Sequence, residues 1–166
     1  MVRQALSLKT RALGLLAQRE HSRTELRRKL LRIERASVRI RASCDVSAST
    51  DELPDCEATV DALLDSLAAD GCLNEARFIE SRLNLRARRF GTQRIQQELA
   101  QHGLRLDDEQ KSALRTSELE RAQEVRVRRF GPEAPTEALE QARQARFLLA
   151  RGFAGDVVRK ALKPTD

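Results

Sequence analysis

Apolar residues recur every three to four positions along most of the chain, the period of a helix that buries one stripe and exposes the rest. Leu and Ala keep this spacing from about Arg3 to Arg19, which predicts a first helix. Ser22-Arg23-Thr24-Glu25 follows as a capping box, in which a hydroxyl and a carboxylate three residues apart satisfy the free amides of a helix start. It opens a second helix with Leu26, Leu30 and Ile33 on one face. The period fades from Glu34 to Leu53, where Ala, Ser, Asp and Thr surround Cys44, so this stretch is expected to be a flexible inserted loop. Pro54 suits a first helical turn, Val60, Leu63, Leu64 and Leu67 continue the stripe, and Gly71 ends a third helix.

From Asn74, an N-cap residue type, a long helix bearing Ile79, Leu83, Ala87 and Phe90 is expected to run to Gly91. Thr92 is placed to cap the next, which presents Ile95 and Leu99 and stops at Gly103. Asp107 or Asp108 begins a short segment ending near Leu114, and another helix spans about Ser117 to Phe130. Gly131-Pro132 and Pro135 then break the chain. Thr136 is expected to cap a helix through Leu139, Ala142, Phe147 and Leu148 to Arg151, and Gly152 leads into a last helix around Val157 to Leu162. The pattern gives eight or nine helices and no strand, an all-α chain.

The hexapeptide Arg86-Ala87-Arg88-Arg89-Phe90-Gly91 recurs as Arg126-Val127-Arg128-Arg129-Phe130-Gly131, each copy closing a helix. After each copy another helix ends in Gly-apolar, Gly103-Leu104 and Gly152-Phe153. Ser22, Leu26 and Leu30 stand as Gly91, Ile95 and Leu99 do, a weaker copy nearer the N-terminus. Three tandem three-helix repeats are therefore expected, at about 3–73 (with the flexible insertion at about 34–53), 74–115 and 116–166. Units this small bury their stripes only by stacking, which implies an elongated curved body.

Composition sharpens the picture. Among 166 residues only 3% are aromatic, with no Trp or Tyr, so the core must be aliphatic. The net charge is +6, carried mainly by Arg, whose planar fork suits phosphates and carboxylates and points to an anionic partner. No apolar run long enough to cross a bilayer exists and the N-terminus lacks a secretory pattern, so a cytoplasmic protein without membrane contact is expected. Cys44, Cys56 and Cys72 are widely spaced, with neither CxxC nor a His-rich context, and read as free thiols rather than metal ligands.

Basic residues gather in rows. Arg82, Arg86 and Arg89 fall at i, i+4 and i+7 on one helix side, with Arg88 and Arg94 flanking the turn beyond. Arg126, Arg128 and Arg129 repeat the arrangement, and Arg27, Arg28, Lys29 and Arg32 form a basic stretch in the second helix. Such rows suit phosphate backbones, giving affinity without sequence reading. Phe78, Phe90, Phe130, Phe147 and Phe153 all fall at helical core or cap positions, which disfavours a dedicated single-strand binder. His21 and His102 lie at helix ends without a nucleophile beside them, Asp107-Asp108 fits an N-cap, and no Gly-rich phosphate loop is present. No catalytic residue, metal or cofactor is expected.

Together these segments resemble the RecX family, regulators of the bacterial RecA recombinase. The resemblance rests first on His21, Ser22, Glu25, Leu26, Lys29 and Leu30, then on Gly71, Cys72, Leu73, Asn74, Glu75, Arg77 and Phe78. It continues through Phe90-Gly91, Arg94-Ile95, Glu98-Leu99 and Gly103-Leu104, and ends in Arg146-Phe147-Leu148 with Arg151-Gly152-Phe153. Cys72 stands where the family has an aromatic residue, Asn74 where it has an acid, and Phe90 and Phe130 where Tyr is common. The resemblance implies a three-helix-repeat protein that binds the RecA filament and its single- or double-stranded DNA without sequence specificity. It further implies lying in the filament groove and restraining ATP hydrolysis, strand exchange and coprotease activity. A monomer is the expected state. Two other readings stand beside this one. A basic helical DNA-binding module, acting as a transcription factor or architectural protein, would require sequence-specific footprints. A thiol enzyme using Cys44 or Cys72 would require an activating His nearby.

Overall fold

Helix starts follow local capping chemistry. In the computed structural model, which describes residues 6–44 and 55–163 and the side chains of all but 40–44 of these, the Ser7 hydroxyl accepts the Thr10 amide at 3.1 Å. This cap starts α1 at Leu8 (Leu8–Gln18) rather than at Arg3, and Arg3 itself lies outside the described residues. At the next start Ser22 Oγ accepts the Glu25 amide at 3.1 Å, and α2 runs Arg23–Cys44. Its length corrects the expected loop: residues 34–44 are helical, while 45–53 lie outside the described residues. The helix persists without a strong apolar stripe because Ile33 and Val38 are half-buried and Arg35 reaches Glu57 of α3 at 2.9 Å. α3 (Cys56–Ala69) is capped by Asp55, which takes the Glu57 and Ala58 amides at 2.9 and 3.3 Å, so its start falls after the position expected from Pro54.

Asn74 caps α4 as expected, its Oδ1 accepting the Arg77 amide at 3.1 Å, but α4 (Glu75–Arg86) ends four residues before Phe90. α5 is Thr92–Ala100 and α6 is Asp108–Thr116, the latter opened by a full capping box between Asp107 and Gln110. α7 (Glu118–Phe130), α8 (Ala138–Ala150) and α9 (Gly155–Ala161) complete nine helices with no strand among the described residues. Thr136 does not cap α8, which begins after Glu137 without a side-chain cap. Leu139 and Ala142, expected on the apolar face, are exposed, and Gln144 and Leu148 are the buried residues of that helix.

Packing divides the chain into two units, with the boundary between Phe78 and Ile79, inside α4. In the first, α2 packs on α1 and α3 around Ala12, Leu26, Leu30, Leu31, Val60, Leu64, Leu67 and Leu73. In the second, α7 packs on α8 and α9 around Ala122, Val125, Leu148, Phe153, Val158 and Ala161, and α6 bridges α5 to α7. Both cores are built from aliphatic side chains that bury well at helical spacing, with one aromatic, Phe153, in the second. The second unit therefore holds α4 from Ile79 onward together with α5 to α9, so the packing boundary falls inside the expected second repeat.

Candidate functional site

The position of each arginine depends on where its helix ends. α4 stops at Arg86 because the turn after it is held from outside. Arg121 of α7, half-buried, donates to the carbonyls of Ala87 and Phe90 at 2.9 Å each and to that of Leu114 at 2.7 Å. Burial pulls the Arg121 guanidinium below its ordinary pKa, with the Glu118 charge opposing. The turn then docks backbone to backbone: the Gly91 amide donates to the Arg151 carbonyl at 2.9 Å and the Gln93 amide to that of Gly152 at 3.2 Å. A Cβ on Gly91 would lie 2.2 Å from the Gly152 carbonyl oxygen, so only glycine admits this approach. Gly152 itself sits at φ +79. α5, starting from Gly91, takes its cap from a distant residue: the buried Glu118 carboxylate accepts the Thr92 amide at 2.9 Å. Thr92 was expected as the cap; it supplies the first amide instead.

This geometry breaks the expected row of Arg82, Arg86 and Arg89. Arg82, Arg86 and Arg94 line one depression with Glu98 and His102. There Arg86 Nε lies 2.9 Å from Glu98 Oε2, and Arg94 Nε lies 3.6 Å from Glu98 Oε1, so a carboxylate offsets the charge. Arg89, beyond the helix end, turns with Arg88 into a second depression, lined also by Arg128, Arg129, Arg151, Val125 and Phe147. The two hexapeptide copies thus meet around one surface whose lining includes five arginines and no carboxylate. Arg88, Arg89, Arg128 and Arg129 are exposed and have no ion-pair partner among the described residues.

Arg126 is a correction. It is buried, donating to the carbonyls of Glu133 at 2.7 Å and Pro132 at 3.1 Å, and so ties the proline-broken turn to α7 instead of joining the surface row. Arg151, which sequence reasoning placed in a terminal motif without a role, belongs to the depression. Its guanidinium carbon stands 4.5 Å from the Phe147 ring centre and 5.7 Å from that of Phe90, and it donates to the Arg89 carbonyl at 3.1 Å. Arg143 lies over Phe130 and Arg86 over Phe90, while Phe130 meets Phe147 edge-on at 5.1 Å. Of the five phenylalanines only Phe78 and Phe153 are buried; the other three form a half-exposed ring surface gripped by arginines. The signal for Arg151 was its place beside Gly152, whose partner turn is not adjacent in sequence.

In the first unit, α2 has two different sides. Arg27 Nε donates to Asp61 at 2.6 Å and its Nη2 to Glu57 at 3.1 Å. Arg23 pairs with Asp65 at 2.7 Å. The Arg27 hydrogen bond holds the Asp61 carboxyl below the usual carboxylate range. Lys29 pairs with Glu25 at 3.2 Å and sits 2.9 Å from His21 Nε2. His21 is buried, its Nδ1 2.9 Å from the Arg19 carbonyl oxygen, and desolvation lowers its pKa below 6.5. Burial works to raise the Glu25 carboxyl, but hydrogen bonds from Arg19 and Lys29 outweigh it and hold it at about 2. Arg28 and Arg32 face outward, joined by Arg35 and Arg39, which the loop expectation had hidden. Of the four basic residues expected on this helix, Arg27 and Lys29 are therefore paired, and Arg28 and Arg32 have no carboxylate partner among the described residues.

Among the described residues no three His, Cys, Asp or Glu side chains group to hold a metal, and no helix is long and apolar enough to cross a membrane. Cys56 and Cys72 are free thiols, whereas the Cys44 side chain lies outside the described set.

Comparison with known proteins agrees over the whole chain. The family described as RecX, third three-helix domain, matches residues 116–162. The Regulatory protein RecX of Leptothrix cholodnii is 46% identical over 166 residues, covering 99% of this chain and 92% of that protein. Its namesake from Ralstonia nicotianae is 44% identical, covering 99% and 91%. The one from Ectopseudomonas mendocina is 37% identical over 170 residues, covering 100% and 99%. With identities this high across essentially the full length, and a helical fold of the expected kind, the chain belongs to the RecX family of regulatory proteins.

Proposed function

We propose that this protein regulates the RecA recombinase, mainly as an inhibitor, by lying in the groove of the RecA–DNA filament. There it restrains ATP hydrolysis, strand exchange and coprotease activity, acting as a cytoplasmic monomer without catalytic chemistry of its own. The three tandem repeats at about 3–73, 74–115 and 116–166 are the binding modules in this reading, and stacked repeats let one molecule span neighbouring filament subunits.

The observation that supports it is the five-arginine depression around Arg88, Arg89, Arg128, Arg129 and Arg151. A concave surface lined by one sign of charge attracts phosphates or acidic protein surfaces, and Arg presents donors in a fork that matches either. Arg151 is fixed in place by two rings and a carbonyl, so less freedom is lost when it binds. The contacts read backbone rather than bases, which fits a partner that moves over any sequence.

The test is ATP hydrolysis by RecA filaments on single-stranded DNA, titrated with this protein at fixed salt beside a charge-matched helical control. Inhibition at well under one molecule per recombinase, absent in the control and weakened tenfold or more in Arg88→Ala/Arg128→Ala/Arg129→Ala, supports the reading. No inhibition at saturation overturns it and leaves a general nucleic-acid binder.

A further inference from the structure

Attraction between charges does not account for everything in the five-arginine depression. Phe147 and Arg151 lie four residues apart on one side of the end of α8, and both line the depression while only half-buried. Phe147 packs partly on the core of the second unit, and Phe130 meets its ring edge-on at 5.1 Å, so the ring is fixed. The Arg151 guanidinium carbon stands 4.5 Å from that ring's centre, its Nη1 is spent on the Arg89 carbonyl, and Phe90 lies 5.7 Å from it. Phe90 and Phe130 do not line the depression; they brace the pair that does. The outcome is a held patch of aromatic ring and planar guanidinium within a rim of Arg88, Arg89, Arg128 and Arg129, none of which has an ion-pair partner among the described residues.

We propose that this patch stacks one unpaired nucleobase of a single strand, while the rim holds the phosphates on either side of that base. The inference rests on the reading of the depression as the surface that meets the nucleic acid of the filament. An aromatic ring and an arginine plane both accept the face of a base, and every base has such a face, so stacking is tolerant of sequence. It is not tolerant of pairing. In a duplex the faces of the bases are covered by their neighbours, and only phosphates remain for the rim. The depression holds about 180 Å³, below the roughly 300–1,000 Å³ of sites for drug-sized ligands, which suits a single planar group. A carboxylate side chain or an inorganic anion would use the rim and leave the ring unused. The position of Phe147 near a helix end argued in the sequence against a role in stacking; its half-exposure beside Arg151 argues for one.

The experiment titrates the full chain with oligo-dT, an abasic deoxyribose-phosphate oligomer of equal length, a duplex, and an oligo-glutamate peptide of equal charge. Oligo-dT is expected to bind at least about fivefold more tightly than the abasic oligomer or the peptide. Because the chain contains no Trp, Phe147→Trp places a single indole in the depression. Its emission should be quenched by oligo-dT and left unchanged by the abasic oligomer and the duplex. Arg151→Lys keeps the charge and removes the plane, so it should weaken oligo-dT at least about threefold and the abasic oligomer hardly at all. Circular dichroism checks that both variants are folded, and the comparison of oligo-dT with the abasic oligomer is decisive on the unaltered chain in any case. Equal affinity for those two strands, or unquenched emission at saturating oligo-dT, would overturn the proposal. A peptide bound as tightly as oligo-dT would overturn it too, since the rim would then select charge alone. The RecA filament assay is scored separately. Base preference without inhibition sinks the regulatory reading and leaves this site, whereas inhibition without base preference does the reverse.

Discussion

The two units use the same residue for opposite ends. In the first, arginine meets carboxylate: Arg23, Arg27 and Arg35 bind the acidic side of α3, Arg19 binds Glu25, and Arg77 binds Glu20. In the second, Arg86 and Arg94 meet Glu98, but the arginines that hold its turns meet groups that carry no formal charge. Arg121 and Arg126 bind carbonyl oxygens, and Arg151 binds a carbonyl and two rings. A carboxylate cancels the charge it holds, whereas a carbonyl or a ring leaves it whole. The first unit gains cross-helix ties and loses positive potential on the α3 side of α2; the second holds its turns together and stays strongly positive.

The sharpest way to break this contrast is Arg121→Met. It leaves the carbonyls of Ala87, Phe90 and Leu114 without their donor, and should cost about 3 kcal/mol in urea unfolding. A loss below about 0.5 kcal/mol would mean that water serves those carbonyls equally well. Next comes Gly91→Ala, which drives a methyl group against the Gly152 carbonyl and should cost about 2 kcal/mol. A stability equal to the parent protein would show that the turn opens freely.

Acid sharpens the comparison from the other side. The folded pKa of His21 lies below its ordinary 6.5, so the unfolded chain binds that proton more readily and stability is lost as pH falls below 6.5. Glu25 is held at about 2 against an ordinary 4.5, so its contribution is full above 4.5 and disappears between 4.5 and 2. Hydrogen exchange should show the amides of α1 and α2 losing protection in these two steps, with His21→Gln removing the first. Equal loss in α7 and α9 would unlink the effect from these groups. The smallest effect is expected for Arg27→Met: a pair half-open to solvent is worth little, so the unfolding midpoint should move little. Oligonucleotide affinity should also be unchanged, because that guanidinium is already occupied.

Helix content was legible because aliphatic residues at a 3.6-residue period leave few alternatives. Misreadings arose where distant groups decide. The stretch from Glu34 to Cys44 lacks a strong stripe and was read as a loop, yet Arg35 is tied to Glu57, 22 residues away. The row through Arg89 assumed a helix continuing to Phe90, but Arg121 and the docking of Gly91 on Gly152 end it at Arg86. Arg126 looked like a surface charge because its acceptors are backbone carbonyls, which no side-chain pattern announces. The hexapeptide copies were visible in sequence; that they face one depression depends on the packing of the second unit.

The cap of α5 has a consequence for the order in which the chain is made. Its first amide is satisfied by Glu118, a residue 26 positions further on. During synthesis from the N-terminus, α5 and α6 therefore leave the ribosome before the residue that completes the start of α5, and before Arg121 arrives to hold the end of α4. The start of α5 and the turn after α4 thus gain these two partners only once α7 has been made.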